Sequence, residues 1–263
     1  MACTRFDRQD PCVIAMQDAV GDAYRAFRRY PAPAFPLDVC LSCCVPDDVE
    51  KALREWPLER LTAKQFWDYN TSAKSEIQNA REVGHFVPRM LELLAEGEEI
   101  HHSLEISLDR LGRCPDGSWN EAERAALDRF ASAYFAAVLS GPLAFRWFDD
   151  PMSVLLMFHI GGLSIEPLLQ AWLDCEHPSS TIQYVRATYW DFWSEQRYIN
   201  AFADDQPAFS ERLGQWLLDP ECRRRFAARL MSAEFLEQAS RQEATGCTPF
   251  GSMVDAVFDH LTA

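Results

Sequence analysis

Cys40-Leu41-Ser42-Cys43-Cys44 brings three soft ligands within five residues of each other. A Cys-x-x-Cys spacing serves either a metal ion, as two of its thiolate ligands, or a dithiol–disulfide couple. Pro46, Asp47 and Asp48 follow at once and read as the first turn of a helix, where a residue without an amide proton leaves no bond unmade. A helix N-terminus favours a nearby thiolate, which permits Cys43 or Cys44 to be partly thiolate and nucleophilic without requiring it. Structural zinc takes four ligands, and the chain has neither a second Cys-x-x-Cys nor a His-x-x-x-His. His85 is the best remaining donor, which gives Cys40, Cys43, Cys44 and His85 as the candidate zinc set. Because the fourth ligand is so remote in sequence, a loop without zinc is the expected state, and zinc is the cofactor to look for.

Other constellations carry less. Glu99-x-x-His102 has the spacing that places a carboxylate and an imidazole on one side of a helix, as in di-iron bundles. Such a centre needs a second copy, and this one follows Gly97, a helix terminator, so a solvated polar turn is predicted. His159 reads as a core or helix-end histidine. No nucleophile elbow, phosphate loop or dinucleotide fingerprint occurs, and no catalytic residue is assigned.

The elements that must position these residues are helices. Apolar residues recur at helical spacing from end to end, with no alternating strands flanked by hairpin turns. Val13, Met16, Val20, Ala23 and Phe27 share one face of a first helix, which ends before the proline-rich segment Tyr30–Pro36. Thr62 with Gln65, and Asn120 with Glu123, read as capping boxes opening further helices. Pro88 is placed in the first turn of the helix bearing Phe86 and Leu91, so His85 falls near its start, with Arg89 and Glu92 positioned to pair. Asp150, Ser164, Asp219 and Ser252 are further predicted helix starts. The core is predicted to include Phe66, Leu91, Leu127, Phe130, Tyr134, Leu169, Trp172, Val185, Tyr189, Leu213 and Phe226. The fold class is therefore all-α, an irregular helical bundle or a degenerate α-solenoid of stacked hairpins. One domain over residues 1–263 is expected, with two lobes divided near residues 140–151 as the alternative.

Composition bounds the partners. The net charge of −15 excludes a nucleic-acid binder, which needs clustered Lys and Arg. No membrane partner is expected, since the most apolar stretch, Met152 to Ile165, contains His159 and stops at Pro167, short of the 18 or so residues that a span needs. Residues 1–8 lack the apolar stretch of a secretory leader, so the cytoplasm is the expected compartment. The nine cysteines are an odd number, and reduced thiols rather than a disulfide framework are expected.

Two resemblances arise from these motifs. A Cys-x-x-Cys at a helix start is similar to that of the all-helical alkylhydroperoxidase-like proteins, in which a His follows four residues later. Asp47 occupies that position here, so the proton-transfer partner is missing. Cys40-x-x-Cys43-Cys44-Val45 together with His85-Phe86-Val87-Pro88-Arg89-Met90-Leu91-Glu92-Leu93 resembles a group of uncharacterised bacterial proteins, whose second motif reads His-Phe-Leu-Pro-Arg-Ile-Leu-Glu-Leu. The likeness spans roughly residues 36 to 140 and implies a bacterial origin, without bringing a function. The preferred functional reading is a non-enzymatic binding protein, for example a toxin-neutralising immunity protein directed at a basic protein partner. The alternative is a thiol-based redox enzyme or small zinc-binding protein acting through Cys40, Cys43 and Cys44.

Overall fold

The computed structural model describes residues 10–140, 150–245 and 247–263. Among the described residues the chain forms thirteen α-helices, and its strand-like pairing is an isolated bridge between Thr245 and Thr248. The fold is an all-α helical bundle. No helix among the described residues is long and apolar enough to cross a membrane.

The chain divides into two compact units, one of Met1–Tyr134 with Met157–Ser164, the other of Phe135–Leu156 with Ile165–Ala263. Of the boundary expected near 140–151, residues 141–149 lie outside the described residues, as do Cys3 and Trp147.

In the first unit α1 (Pro11–Phe27) packs against α4 (Ala80–Glu96). The face read from the sequence is the one buried: Val13, Met16, Val20, Ala23 and Phe27, with Ala19 between them. Burying each larger side chain contributes roughly 1.5–3 kcal/mol. Helix α4 also carries Gly84, which makes room for the Tyr30 ring after α1: a Cβ there would lie 2.8 Å from it. Between these helices in sequence come α2 (Asp47–Glu55) and α3 (Ala63–Thr71). The Thr62–Gln65 capping box opens α3, and Gly97 ends α4 at φ 77°, in the left-handed region that suits glycine.

The short α5 (Asp109–Gly112) also contacts α4, and α6 (Glu121–Ser140) opens on the second capping box. There Asn120 N–H donates to Glu123 at 2.8 Å and Glu123 N–H donates to the Asn120 side chain at 3.0 Å. Glu123 is fully buried, and Arg29 donates to both of its carboxylate oxygens, at 2.6 and 2.9 Å. A cap readable from local sequence thus doubles as a long-range tie.

The second unit holds α8 (Glu166–Asp174), α9 (Pro178–Asp191), α10 (Pro207–Leu218), α11 (Pro220–Leu230), α12 (Ala233–Ala239) and α13 (Phe250–Thr262). Its centre is aromatic: Tyr184 stacks on Phe226 with ring centroids 3.7 Å apart, and Trp172 stacks on Trp216 at 5.4 Å. The remaining helix, α7 (Pro151–Ile160), is capped by Asp150, whose carboxylate accepts from Met152 N–H at 2.8 Å.

Several expectations need correction. Pro46 is the cap of α2 rather than its first helical residue, and α8 starts at Glu166, after Ile165, rather than from Ser164. Helix α13 begins at Phe250 after Pro249, so Ser252 lies inside it. Tyr189 is half-buried rather than core, because α9 stops at Asp191 and Phe192 turns away at φ −138°, ψ −56°. The largest shift concerns α4, which Asn79 caps through Arg81 N–H, so Pro88 sits in the helix interior. There Pro88 supplies no amide to the Gly84 carbonyl.

Candidate functional site

The Cys40–Cys44 loop lies between two buried anchors, Leu37 and Val45, just ahead of α2. Its backbone closes on itself, with Cys44 N–H and Val45 N–H both directed at the Cys40 carbonyl, at 3.2 and 3.1 Å. Cys40 N–H donates to Ser72 Oγ at 2.8 Å, tying the loop to the end of α3. This turn gathers the thiols. Cys40 Sγ and Cys43 Sγ are 3.4 Å apart, as are Cys43 Sγ and Cys44 Sγ, and all three sulfurs lie within 4.8 Å of one another. Cys43 and Cys44 are exposed and Cys40 is half-exposed.

Beneath the loop lies a polar network that the sequence did not reveal. Asp38 accepts from Ser75 N–H at 3.1 Å, Ser75 Oγ at 2.9 Å and Gln78 Nε2 at 2.7 Å. Its carbonyl accepts from Arg110 Nη1 at 3.1 Å. Arg110 is fully buried, donates to Gln78 Oε1 at 2.6 Å and to the Tyr69 carbonyl at 2.6 Å, and lies over the Tyr69 ring at 3.8 Å. Tyr69 O–H in turn donates to Glu82 Oε1 at 2.9 Å. Burial pushes the Glu82 carboxyl up, against the bonds from Tyr69 and Asp38 that favour its charged form. Strong bonds in a dry environment make such a network stiff. The thiol loop therefore stands on a fixed base with its tip in solvent. A single arginine among apolar neighbours, as in Leu108-Asp109-Arg110-Leu111, was the faint signal in the sequence.

The thiols differ in acidity. Cys40 is lowered to about 6 by hydrogen bonds from Ser42 Oγ, at 3.2 Å, and from Cys43 Sγ, which favour its thiolate. Cys43 is raised to about 11, since its thiol donates to Cys40 and faces Cys44. Of the two thiols that helix position offered, Cys43 or Cys44, Cys43 is corrected: contact between side chains outweighs the helix end there, and Cys40 rather than Cys43 holds the favoured thiolate.

His85 does not join the sulfurs. It lies in the second turn of α4, with Nδ1 3.3 Å from the Tyr30 carbonyl and Nε2 buried without a hydrogen-bond partner. Burial lowers its pKa. The proposed fourth zinc ligand is therefore elsewhere, for a physical reason: α4 begins at Ala80, which turns His85 toward the Tyr30 backbone.

Glu99 and His102 lie in the turn after Gly97, outside any helix, so the helical face a di-iron centre needs is not formed. The neighbouring His101 is buried instead, accepts from His102 N–H at 2.9 Å, and is pushed down to about 4 by burial. His159 is half-buried in the last turn of α7. Arg89 and Glu92 do pair, at 2.6 Å.

Comparison with protein-family models, with curated proteins and with solved structures finds no match to this chain.

Proposed function

We propose that this chain is a binding protein for a thiophilic metal ion, held by Cys40, Cys43 and Cys44. The observation that carries the reading is the meeting of three sulfurs within 4.8 Å on a braced, solvent-facing loop. Metal–thiolate bonds of about 2.3 Å place tetrahedrally arranged sulfurs about 3.8 Å apart. The Cys40–Cys43 and Cys43–Cys44 separations of 3.4 Å are within a few tenths of an ångström of that spacing. Soft ligands select soft or borderline ions such as zinc and monovalent copper. A three-thiolate set also leaves one coordination position to solvent, as exchange of the ion requires.

Metal analysis of protein purified without chelator tests this. The expected result is one equivalent of a thiophilic ion, lost in Cys40→Ser while the helical circular dichroism is unchanged. Reduced protein that arrives empty and takes up neither zinc nor monovalent copper overturns the reading.

A second reading, an inhibitor that binds a basic protein, has the net charge of −15 in its favour. Its signature is an association rate that falls with salt.

A further inference from the structure

The triad offers three sulfurs among the described residues. Among the described residues no histidine nitrogen or carboxylate oxygen joins the group formed by Cys40, Cys43 and Cys44. Among the described residues zinc at this loop therefore finds three ligands and lacks the fourth that a closed tetrahedral site takes. An ion that is satisfied by three sulfurs has no such need.

Charge points the same way. Three thiolates bring three negative charges, and the side chains that hydrogen-bond to Cys40 and Cys43 are Ser42 and the neighbouring cysteines, none of them cationic. The nearest charged residues along the chain are Asp38 on one side and the exposed Asp47 and Asp48 on the other, in a protein whose net charge is already −15. A monovalent ion leaves the centre with two uncompensated charges and a divalent ion leaves one, whereas a trivalent ion leaves none. Residual negative charge beside carboxylates is repulsive.

Geometry supplies the third strand. A trivalent centre that keeps a lone pair binds three sulfurs as a pyramid, with angles narrower than tetrahedral. Its sulfurs therefore lie closer together than the roughly 3.8 Å of tetrahedral zinc. Two of the three separations, Cys40–Cys43 and Cys43–Cys44, are 3.4 Å, and the third lies within 4.8 Å. The lone pair needs an open side, and Cys43 and Cys44 face solvent.

We infer that the Cys40, Cys43 and Cys44 triad is a receptor for a trivalent metalloid, arsenite or antimonite, bound as a three-coordinate trithiolate. The inference rests on the metal-binding reading above and names its ligand class. The step is an exchange without oxidation. Neutral arsenous acid loses three hydroxyl groups as its three arsenic–oxygen bonds break, and three arsenic–sulfur bonds form in their place. Each thiol proton leaves with one hydroxyl as water, so three waters are released and no co-reactant is required.

A competition on the full, reduced chain tests it. Protein loaded with one equivalent of zinc receives one equivalent of arsenite in the presence of glutathione. Native mass spectrometry, a zinc indicator and mapping of alkylated thiols follow the outcome. The expected result is zinc release, one arsenic per chain, and protection of Cys40, Cys43 and Cys44 together. Cys44→Ser, at an exposed position and with its helical circular dichroism checked against the parent, is expected to weaken arsenite binding at least about tenfold, equivalent to about 1.4 kcal/mol. Retention of zinc against arsenite overturns the metalloid assignment and leaves the metal-binding reading standing. Equal arsenite affinity in Cys44→Ser overturns three-coordination, because two thiols would then suffice. Binding of neither ion removes both readings.

Discussion

Cys40 and Cys43 have sulfurs 3.4 Å apart and yet opposite acidities, about 6 and about 11. The difference is one of role within a shared hydrogen bond, where the acceptor keeps its charge and the donor keeps its proton. At pH 7 the thiolate therefore sits on Cys40 and the proton on Cys43. Alkylation of metal-free protein with iodoacetamide, read by peptide mass mapping, is expected to label Cys40 ahead of Cys43, Cys114 and Cys222. Burial raises the thiols of Cys114, to about 12, and Cys222. The Cys40 rate is expected to level off above pH 7 and to drop as pH falls through 6, whereas Cys43 still gains toward pH 11. Equal labelling of Cys40 and Cys43 at pH 7 would remove this assignment. The adjacency of the three thiols was legible in the sequence because five consecutive residues carry it. Which sulfur holds the charge was not, since rotamers and partners decide it.

Among the elements, glycines show how packing overrides propensity. Alanine is the better helix former by about 1 kcal/mol. At Gly112, which ends α5, an added Cβ would lie 1.8 Å from the Ile160 carbonyl oxygen, a backbone atom with little room to move. At Gly251, in the first turn of α13, nothing lies within 4 Å. Gly112→Ala is therefore expected to destabilise by about 3 kcal/mol, the upper end of overpacking costs. Gly251→Ala is expected to be neutral or to stabilise by up to about 0.5 kcal/mol. Urea unfolding of the two variants checks both, and a Gly112→Ala protein as stable as the parent would show that α5 does not sit against Ile160. Caps were the most readable features of the elements, because Thr62 with Gln65 and Asn120 with Glu123 act over three residues. Helix α4 was misread at its start because Pro88 matches the first-turn preference, while the cap, Asn79, stands nine residues earlier.

At the scale of the whole molecule, charge is the dominant property. A net charge of −15 attracts basic partners over distances set by the Debye length, about 10 Å at 0.1 M salt. If a basic protein is the partner, its association rate is expected to fall by an order of magnitude or more between low and physiological ionic strength, with dissociation little changed. Surface plasmon resonance with immobilised chain and partners recovered by pull-down measures this. An association rate indifferent to salt would argue against electrostatic steering. The two compact units each bury their own aromatic and aliphatic residues, Phe66 and Phe86 in the first, Tyr184 and Phe226 in the second.

By itself the sequence determined the helical class, the capping boxes of α3 and α6 and the adjacency of three thiols, because each is written in spacings of a few residues. The period of apolar positions selected the buried face of α1, and Gly97 ended α4 where a left-handed residue was needed. Tertiary structure decided what the thiol loop stands on and what it excludes. Arg110 reaches the Asp38 carbonyl across 72 residues and the Tyr69 carbonyl across 41, and no local pattern encodes such meetings. It likewise turned His85 toward Tyr30, 55 residues away, and left three sulfurs without an imidazole. The reason is that helix propensity and capping act through neighbours in the chain. A ligand set is fixed only when packed helices bring distant backbone segments within hydrogen-bonding distance.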